Sequence, residues 1–250
     1  MITAPMRAPS LILALILAGC SATPTPSPSP SIPPAEPASS PTSSAPASSV
    51  PSTAVAEPLP GWGVSRVDAE LRDLLTGRNW HPGCPVALHD LRLVTVRYVG
   101  FDGETHAGPL VLHERVADDV LWVFRRLFRH GFAIERVALA RKWRPVRRRD
   151  WFDTSNVSAS FNCRPVTNGT TFSQHSYGWA VDINPLQNPY VNEDGVLRRA
   201  ARRYVDRSQD LPGMIHPGDV VVRSFARIGW GWGGDWTSLK DYMHFSLTGR

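Results

Sequence analysis

An α+β fold is predicted for residues 59–250: a single domain with a mainly antiparallel sheet and flanking helices. Three observations carry that prediction. Strand-like and helix-like segments follow one another without the regular alternation that a parallel βαβ sheet requires. The stretch holds all nine tryptophans of the 250-residue chain and has the bulk for one hydrophobic core. Ahead of it, residues 21–58 are Pro, Ser, Thr or Ala at all but five positions, so a packed core has to be built from the residues after 58.

Taken in order, residues 65–76 predict a helix capped by Ser65, with Val67, Leu71, Leu74 and Leu75 on one side and Gly77 as its stop. Residues 91–99, LRLVTVRYV, have the alternating, β-branched pattern of a strand. Gly100-Phe101-Asp102-Gly103 then turns the chain into a second strand at 108–113, completing a hairpin. Residues 118–130 place Val120, Leu121, Phe124, Leu127 and Phe128 on one helical face, and Gly131 ends it. Residues 134–140 predict a further strand. From 141 to 174 the periodicity fades into polar and turn-forming residues, and a loop of that length inside a domain points to function. Residues 179–184 resume as a strand, a helix opens at His216-Pro217 and runs to Ile228, and 241–247 form a last strand. There is no internal repeat.

The N-terminal segment opens with Arg7, an apolar run over 11–18, then Gly19 and Cys20. The run is far short of the roughly 20 residues that span a bilayer, and it has the size of the apolar part of a secretory signal. Leu17-Ala18-Gly19-Cys20 resembles the lipobox of bacterial lipoproteins. The resemblance implies removal of residues 1–19 and a membrane anchor through lipidated Cys20; the rival is an ordinary signal with an incidental cysteine. Residues 20–58 would then be a tether. Positions 21–58 carry eleven of the 23 prolines, and Glu36 and Glu57 are their only charges. Such a composition cannot offset its ordering entropy. A proline-rich spacer of about 3 Å per residue reaches roughly 100 Å at most. The expected location is extracytoplasmic, lipid-anchored at the cell membrane and facing the cell wall.

The chain has a formal charge of +5, and residues 59–250 are slightly more positive still. Basic residues gather at Arg141-Lys142-Trp143-Arg144-Pro145-Val146-Arg147-Arg148-Arg149 and at Arg198-Arg199-Ala200-Ala201-Arg202-Arg203. In a cytosolic protein such clusters suggest nucleic acid. Export argues against that partner and favours anionic wall polymers, with plain solvated faces as the alternative. A monomer is expected. With Cys20 assigned to lipid, Cys84 and Cys163 remain, and in an oxidising exterior an even pair predicts a disulfide. A cysteine nucleophile is the rival, but neither residue sits in a nucleophile–base arrangement.

The chemistry concentrates in Ser173-Gln174-His175-Ser176-Tyr177-Gly178-Trp179-Ala180-Val181-Asp182-Ile183-Asn184. If the strand begins near Gly178, alternation puts Gly178, Ala180, Asp182 and Asn184 on one face. The small residues leave space beside Asp182, and His175 can fold back over it from the turn. One imidazole and one carboxylate then face a common hollow, two of the three protein ligands of a catalytic zinc. Near the C-terminus, Gly229-Trp230-Gly231-Trp232-Gly233-Gly234-Asp235-Trp236 leads into Asp241-Tyr242-Met243-His244-Phe245. His244 offers the second imidazole, and Asp241 a carboxylate to move protons. Residues three apart on a flat strand point to opposite faces, so the pairing requires the strand to start after Asp241. Alone, either histidine would read as structural; the shared frame singles them out. His81, His89, His106, His113, His130 and His216 lack such a setting. Trp230, Trp232 and Trp236 read as core and cleft wall, with sugar stacking as the alternative.

Over residues 80–245 the chain resembles the M15 family of zinc peptidases. These are the D-alanyl-D-alanine carboxypeptidases and their relatives, among them phage endolysins that cut L-alanyl-D-glutamate bonds. The first family signature, Ser-x-His-x-x-Gly-x-Ala-x-Asp, is met by Ser173, His175, Gly178, Ala180 and Asp182. The second, an acidic residue three before a histidine, is met by Asp241 and His244. The resemblance implies a Hedgehog/DD-peptidase-like fold, Zn2+ held by His175, Asp182 and His244, and Asp241 as general acid/base. It also implies an upstream arginine that holds the substrate or the developing oxyanion. Arg164 is the nearest match, with Arg141, Arg144, Arg147, Arg148 and Arg149 competing. Aspartate rather than glutamate at 241, and the tryptophan–glycine run before it, are more similar to the endolysin-like branch. The expected activity is zinc-dependent hydrolysis of peptidoglycan stem peptides, at the L-alanyl-D-glutamate or the D-alanyl-D-alanine bond. The rivals are a catalytically inactive peptidoglycan-binding lipoprotein and a structural lipoprotein. A binder has no need of Asp241, and the intact metal frame argues against a purely structural lipoprotein.

Overall fold

The hairpin foreseen from the LRLVTVRYV pattern is the centre of the first sheet. This structure is a computed structural model, and it describes residues 61–140, 155–167 and 169–250. The leader, Cys20, the tether and the basic cluster at 141–149 lie outside the described residues. Strands β1 (Gly63–Arg66), β2 (Leu91–Val99) and β3 (Thr105–His113) pair antiparallel in the order β1-β2-β3. Along β2, Val94, Val96 and Tyr98 are buried on one face, as the period of two requires. Helix α2 (Glu114–Arg129) covers that face with Val116, Ala117, Val120, Val123, Phe124 and Leu127. The opposite face, with Leu91 and Val111, is covered by a smaller cluster. That cluster holds Val67, Val86, Phe161, Cys163 and Leu75 of helix α1 (Ala69–Leu75).

Several boundaries differ from the sequence reading. Ser65 belongs to β1, and α1 is capped by Asp68, whose Oδ1 accepts from the Leu71 N–H at 2.8 Å. Helix α2 starts at Glu114, because the Nδ1 of His113 accepts from the Arg115 N–H and caps it. Histidine is an uncommon cap, and the expected start at 118 falls about one turn late. The segment 134–140 forms no strand; only single bridges join Val99 to Ala133 and Val137 to Ser158. It crosses close over β3 at Gly108, where a Cβ would lie 2.2 Å from the Val137 carbonyl oxygen.

The C-terminal half adds two small antiparallel sheets. One has β4 (Ala180–Asp182), β9 (His244–Ser246) and β7 (Gly231–Trp232) in the order β4-β9-β7. The other has β6 (Gly195–Val196), β5 (Tyr190–Asn192) and β8 (Lys240–Asp241) in the order β6-β5-β8. Helix α3 (Val220–Arg227), capped by Asp219, begins later than His216-Pro217 suggests. Its Phe225 stacks on Phe245 of β9 with ring centroids 4.2 Å apart. Val181, Ile183, Phe225, Trp232 and Phe245 join the core under α2, so the first sheet and the β4-β9-β7 sheet share one interior. Every strand pair described is antiparallel, so the α+β class holds.

Candidate active site

Local geometry explains the first motif residue by residue. Gln174–Tyr177 is one turn of 3-10 helix capped by Ser173, whose Oγ accepts from the His175 N–H at 3.4 Å. Gly178 ends the turn at φ 69°, a left-handed conformation that glycine adopts without strain. A Cβ there would lie 2.6 Å from the His113 nitrogen. The motif glycine therefore stops the turn and lets it dock on the end of β3, which differs from the expected role of leaving space beside Asp182. The strand β4 follows, with Ala180 fully buried. Asn184 also departs from expectation. It leaves the strand at φ 45° and turns inward, donating to the Ala133 and Gly213 oxygens and accepting from the Glu135 N–H.

The register of β4 and β9 sets Asp182 directly opposite His244, so their side chains are neighbours on one face. His175 reaches over them from its turn. The Nε2 of His175 lies 3.2 Å from Asp182 Oδ1 and 3.2 Å from His244 Nδ1. The Nδ1 of His244 lies 3.1 Å from the same Oδ1, which closes a triangle. Both histidines are buried, at 4% and 6% exposure.

What surrounds the triangle decides what it can hold. His175 Nδ1 faces the Ser160 carbonyl oxygen at 2.7 Å. A carbonyl only accepts, so Nδ1 carries the proton and the lone pair at Nε2 faces the triangle. His244 Nε2 faces the Arg250 main-chain oxygen at 3.4 Å, which by the same logic turns the Nδ1 lone pair inward. Two imidazole lone pairs and a carboxylate oxygen thus converge. Burial works to raise the Asp182 carboxyl, but positive charge on His175 and His244, when protons sit on their inward nitrogens, holds it well below the usual carboxylate range, and a cation in place of those protons acts in the same sense. A site with three acceptor atoms and an ionised carboxylate suits a cation. A tetrahedral centre with ligands at about 2.0 Å has edges of about 3.3 Å, close to those of the triangle. The three residues can therefore hold a metal ion of the zinc type.

Asp241 sits at the end of β8, opposite Tyr190 of β5. The chain turns at Tyr242 and Met243 before β9 starts at His244. The strand does begin after Asp241, but that residue closes a strand of another sheet and is not in the turn. Gly233 is required behind it, since a Cβ there would lie 2.4 Å from the Asp241 carbonyl oxygen. The Asp241 Oδ1 is sealed from solvent without a hydrogen-bond partner. Burial first, and the Asp182 charge after it, push the Asp241 carboxyl up to about 7, against the pull of His244, Arg164 and Arg198.

Arg164 lies within electrostatic reach of Asp241. Its main chain is clasped to the motif turn. The Arg164 N–H donates to Ser176 Oγ at 2.9 Å, and that hydroxyl donates back to the Arg164 carbonyl at 2.7 Å. Its Nη1 donates to the Pro165 carbonyl oxygen. Cys163, next to it, is joined to Cys84 as expected, with a sequence separation of 79. The competing arginines at 141, 144, 147, 148 and 149 lie outside the described residues.

Sequence reading missed four contributors. Ser160 and Arg250 contribute through main-chain oxygens, and Ser176 through a hydroxyl inside the motif. Arg198 adds a second cation near Asp241; its only sequence signal was membership of a basic cluster. Trp230 and Trp232 are core residues, and Trp236 sets its ring 5.6 Å from that of His244. None of the other histidines joins the triangle. His81 and His130 face main-chain oxygens, His89, His106 and His216 face aspartates, and His113 caps α2.

Part of this site falls in a stretch that matches a family model of peptidases. The model is that of M15 peptidases, described as D-alanyl-D-alanine carboxypeptidase, and the match runs over residues 167–247. It takes in His175, Asp182, Asp241 and His244 and leaves Arg164 outside. The chain is thus similar to the M15 peptidases over this segment. No curated protein and no solved structure gives a match.

Proposed function

We propose that this chain is a zinc-dependent peptidase that hydrolyses stem peptides of bacterial peptidoglycan, at an L-alanyl-D-glutamate or a D-alanyl-D-alanine bond. The observation that carries the reading is the convergence of His175 Nε2, Asp182 Oδ1 and His244 Nδ1 within 3.2 Å of one another, with the buried Oδ1 of Asp241 within electrostatic reach of Asp182 and His244. Zinc bound by these three residues would supply the Lewis acidity that polarises a carbonyl and makes a water acidic near neutral pH. Asp241 takes the proton of the attacking water and returns it to the departing amine. A carboxyl pushed up to about 7 is suited to both halves of that transfer. Arg164 steadies the negative charge that develops on the substrate oxygen. Ser160 and Ser176 act on the chain itself, one orienting His175 and the other fixing the Arg164 main chain.

A peptidase of the cell wall acts outside the cytoplasm, which agrees with the exported, Cys20-anchored arrangement read from the leader. Among the described residues no helix is long and apolar enough to cross a membrane. The test is digestion of purified muropeptides by the protein, with and without chelator, and mass spectrometry of the new termini. Cleavage within the stem peptide that chelator abolishes supports the proposal and names the bond. Binding of muropeptides without cleavage would favour the inactive wall-binding lipoprotein instead.

A further inference from the structure

Residues 246–250 and Trp236 converge on His244 from two directions. After β9, Gly249 adopts φ 71° and its N–H donates to the Ser246 carbonyl at 3.1 Å, which folds the chain back on the strand. Gly231 of β7 makes room, since a Cβ there would lie 2.6 Å from the Gly249 Cα. The Trp236 Nε1–H donates to the Gly249 oxygen at 2.7 Å, while the Trp236 ring lies against His244. The Ser246 hydroxyl donates to the Arg250 main-chain oxygen at 2.8 Å, and that same oxygen faces His244 Nε2. Two side chains and one glycine gap thus fix a carbonyl-type acceptor behind the buried imidazole. An imidazole that binds a cation through one nitrogen is commonly held by an acceptor at the other, and loss of such a partner weakens the site.

We infer that residues 248–250 are a positioning strap for His244: the Arg250 main-chain oxygen keeps Nε2 protonated and thereby presents the Nδ1 lone pair to the cation. The inference rests on the metal reading given above. It assigns Ser246, Trp236 and Gly231 a role that neither family signature includes, that of holding the strap.

The experiment compares the full chain with a form ending at Thr248 and with Ser246→Ala, which removes only the hydroxyl that anchors the Arg250 oxygen. The zinc dissociation constant is read by competition with a chelating fluorophore, and the His244 tautomer by 15N shifts of the metal-free protein. Zinc affinity should fall roughly 10–100-fold in the shortened form and less in Ser246→Ala, with His244 becoming a mixture of tautomers in both. If the shortened form does not fold, Ser246→Ala carries the test. Zinc affinities within about twofold of the parent, or an unchanged Nε2–H tautomer, overturn the strap. A strap that only adds stability would lower the melting temperature and leave the tautomer alone. A parent chain that binds no zinc overturns the metal reading itself, which distinguishes the two failures.

Discussion

Asp182 and Asp241 are two carboxylates of one site whose surroundings drive them apart. Positive charge at the neighbouring imidazoles, from their protons or from a cation in their place, holds Asp182 ionised, whereas burial and the Asp182 charge lift Asp241 to about 7. Opposed shifts of this kind separate a charge-holding role from a proton-moving one. Asp241→Asn should therefore keep the fold and the zinc but lose about 10²–10⁴ in turnover, roughly 3–5 kcal/mol in the barrier. Elemental analysis, melting temperature and kcat on a muropeptide check it together. A variant that loses zinc would make Asp241 a ligand; one with parental kcat would move the base elsewhere, to the exposed Asp235 first. His244→Ala should have the opposite signature. It removes one of three donors, so the dialysed protein should hold almost no zinc, against about one per chain for the parent.

Elements bring these residues together through their ends. The β4–β9 register sets Asp182 against His244, and the 3-10 turn closes over both because Gly178 can bend sharply and dock on β3. Gly178→Ala meets a left-handed φ and the His113 nitrogen at once. It should cost more than about 1 kcal/mol in denaturant unfolding and weaken zinc binding. The end of β3 also holds the cap of α2. His113 can accept from the Arg115 N–H only while Nδ1 is unprotonated. Burial first, with Arg115 and Arg92 adding to it, lowers its pKa from the ordinary 6.5. A base with a depressed folded pKa contributes stability that is present above 6.5 and lost as the pH falls through the folded value. Unfolding free energy between about pH 8 and 5 should thus fall less steeply for His113→Asn, a variant that keeps a capping side chain. Identical slopes would remove His113 from the pH response.

At the scale of the whole molecule, one covalent link spans the two halves of the site's support. The Cys84–Cys163 bridge joins the region after α1 to the residue before Arg164, and the Cys163 N–H adds a bond to the Asn79 carbonyl at 2.8 Å. Closing a loop of that length stabilises by about 4 kcal/mol in the chain-entropy model. Replacing both cysteines by serine should lower unfolding free energy by that order. It should also reduce turnover more than zinc content, because the bridge fixes the Arg164 side of the site and not the triangle. The unreduced, denatured parent domain should show no titratable thiol at Cys84 or Cys163; two thiols would refute the bridge.

Local periodicity made the hairpin, α2 and the α+β class legible in the sequence, because the apolar positions of 91–99 and 118–130 repeat at the strand and helix periods. The candidate site was legible for a different reason. A carboxylate seven residues after a histidine, with Gly178 and Ala180 between, is a constraint on residue type, and so is the Asp241–His244 spacing. Only the tertiary structure decided that Asp241 belongs to β8 and His244 to β9, since a two-residue strand carries no period of its own. It alone turned Asn184 away from the hollow, brought Arg198 toward Asp241, and set the Ser160 and Arg250 oxygens behind the two histidines. Every residue offers a main-chain oxygen, so nothing in residue identity marks the one that orients an imidazole; only the folded path of the chain selects it.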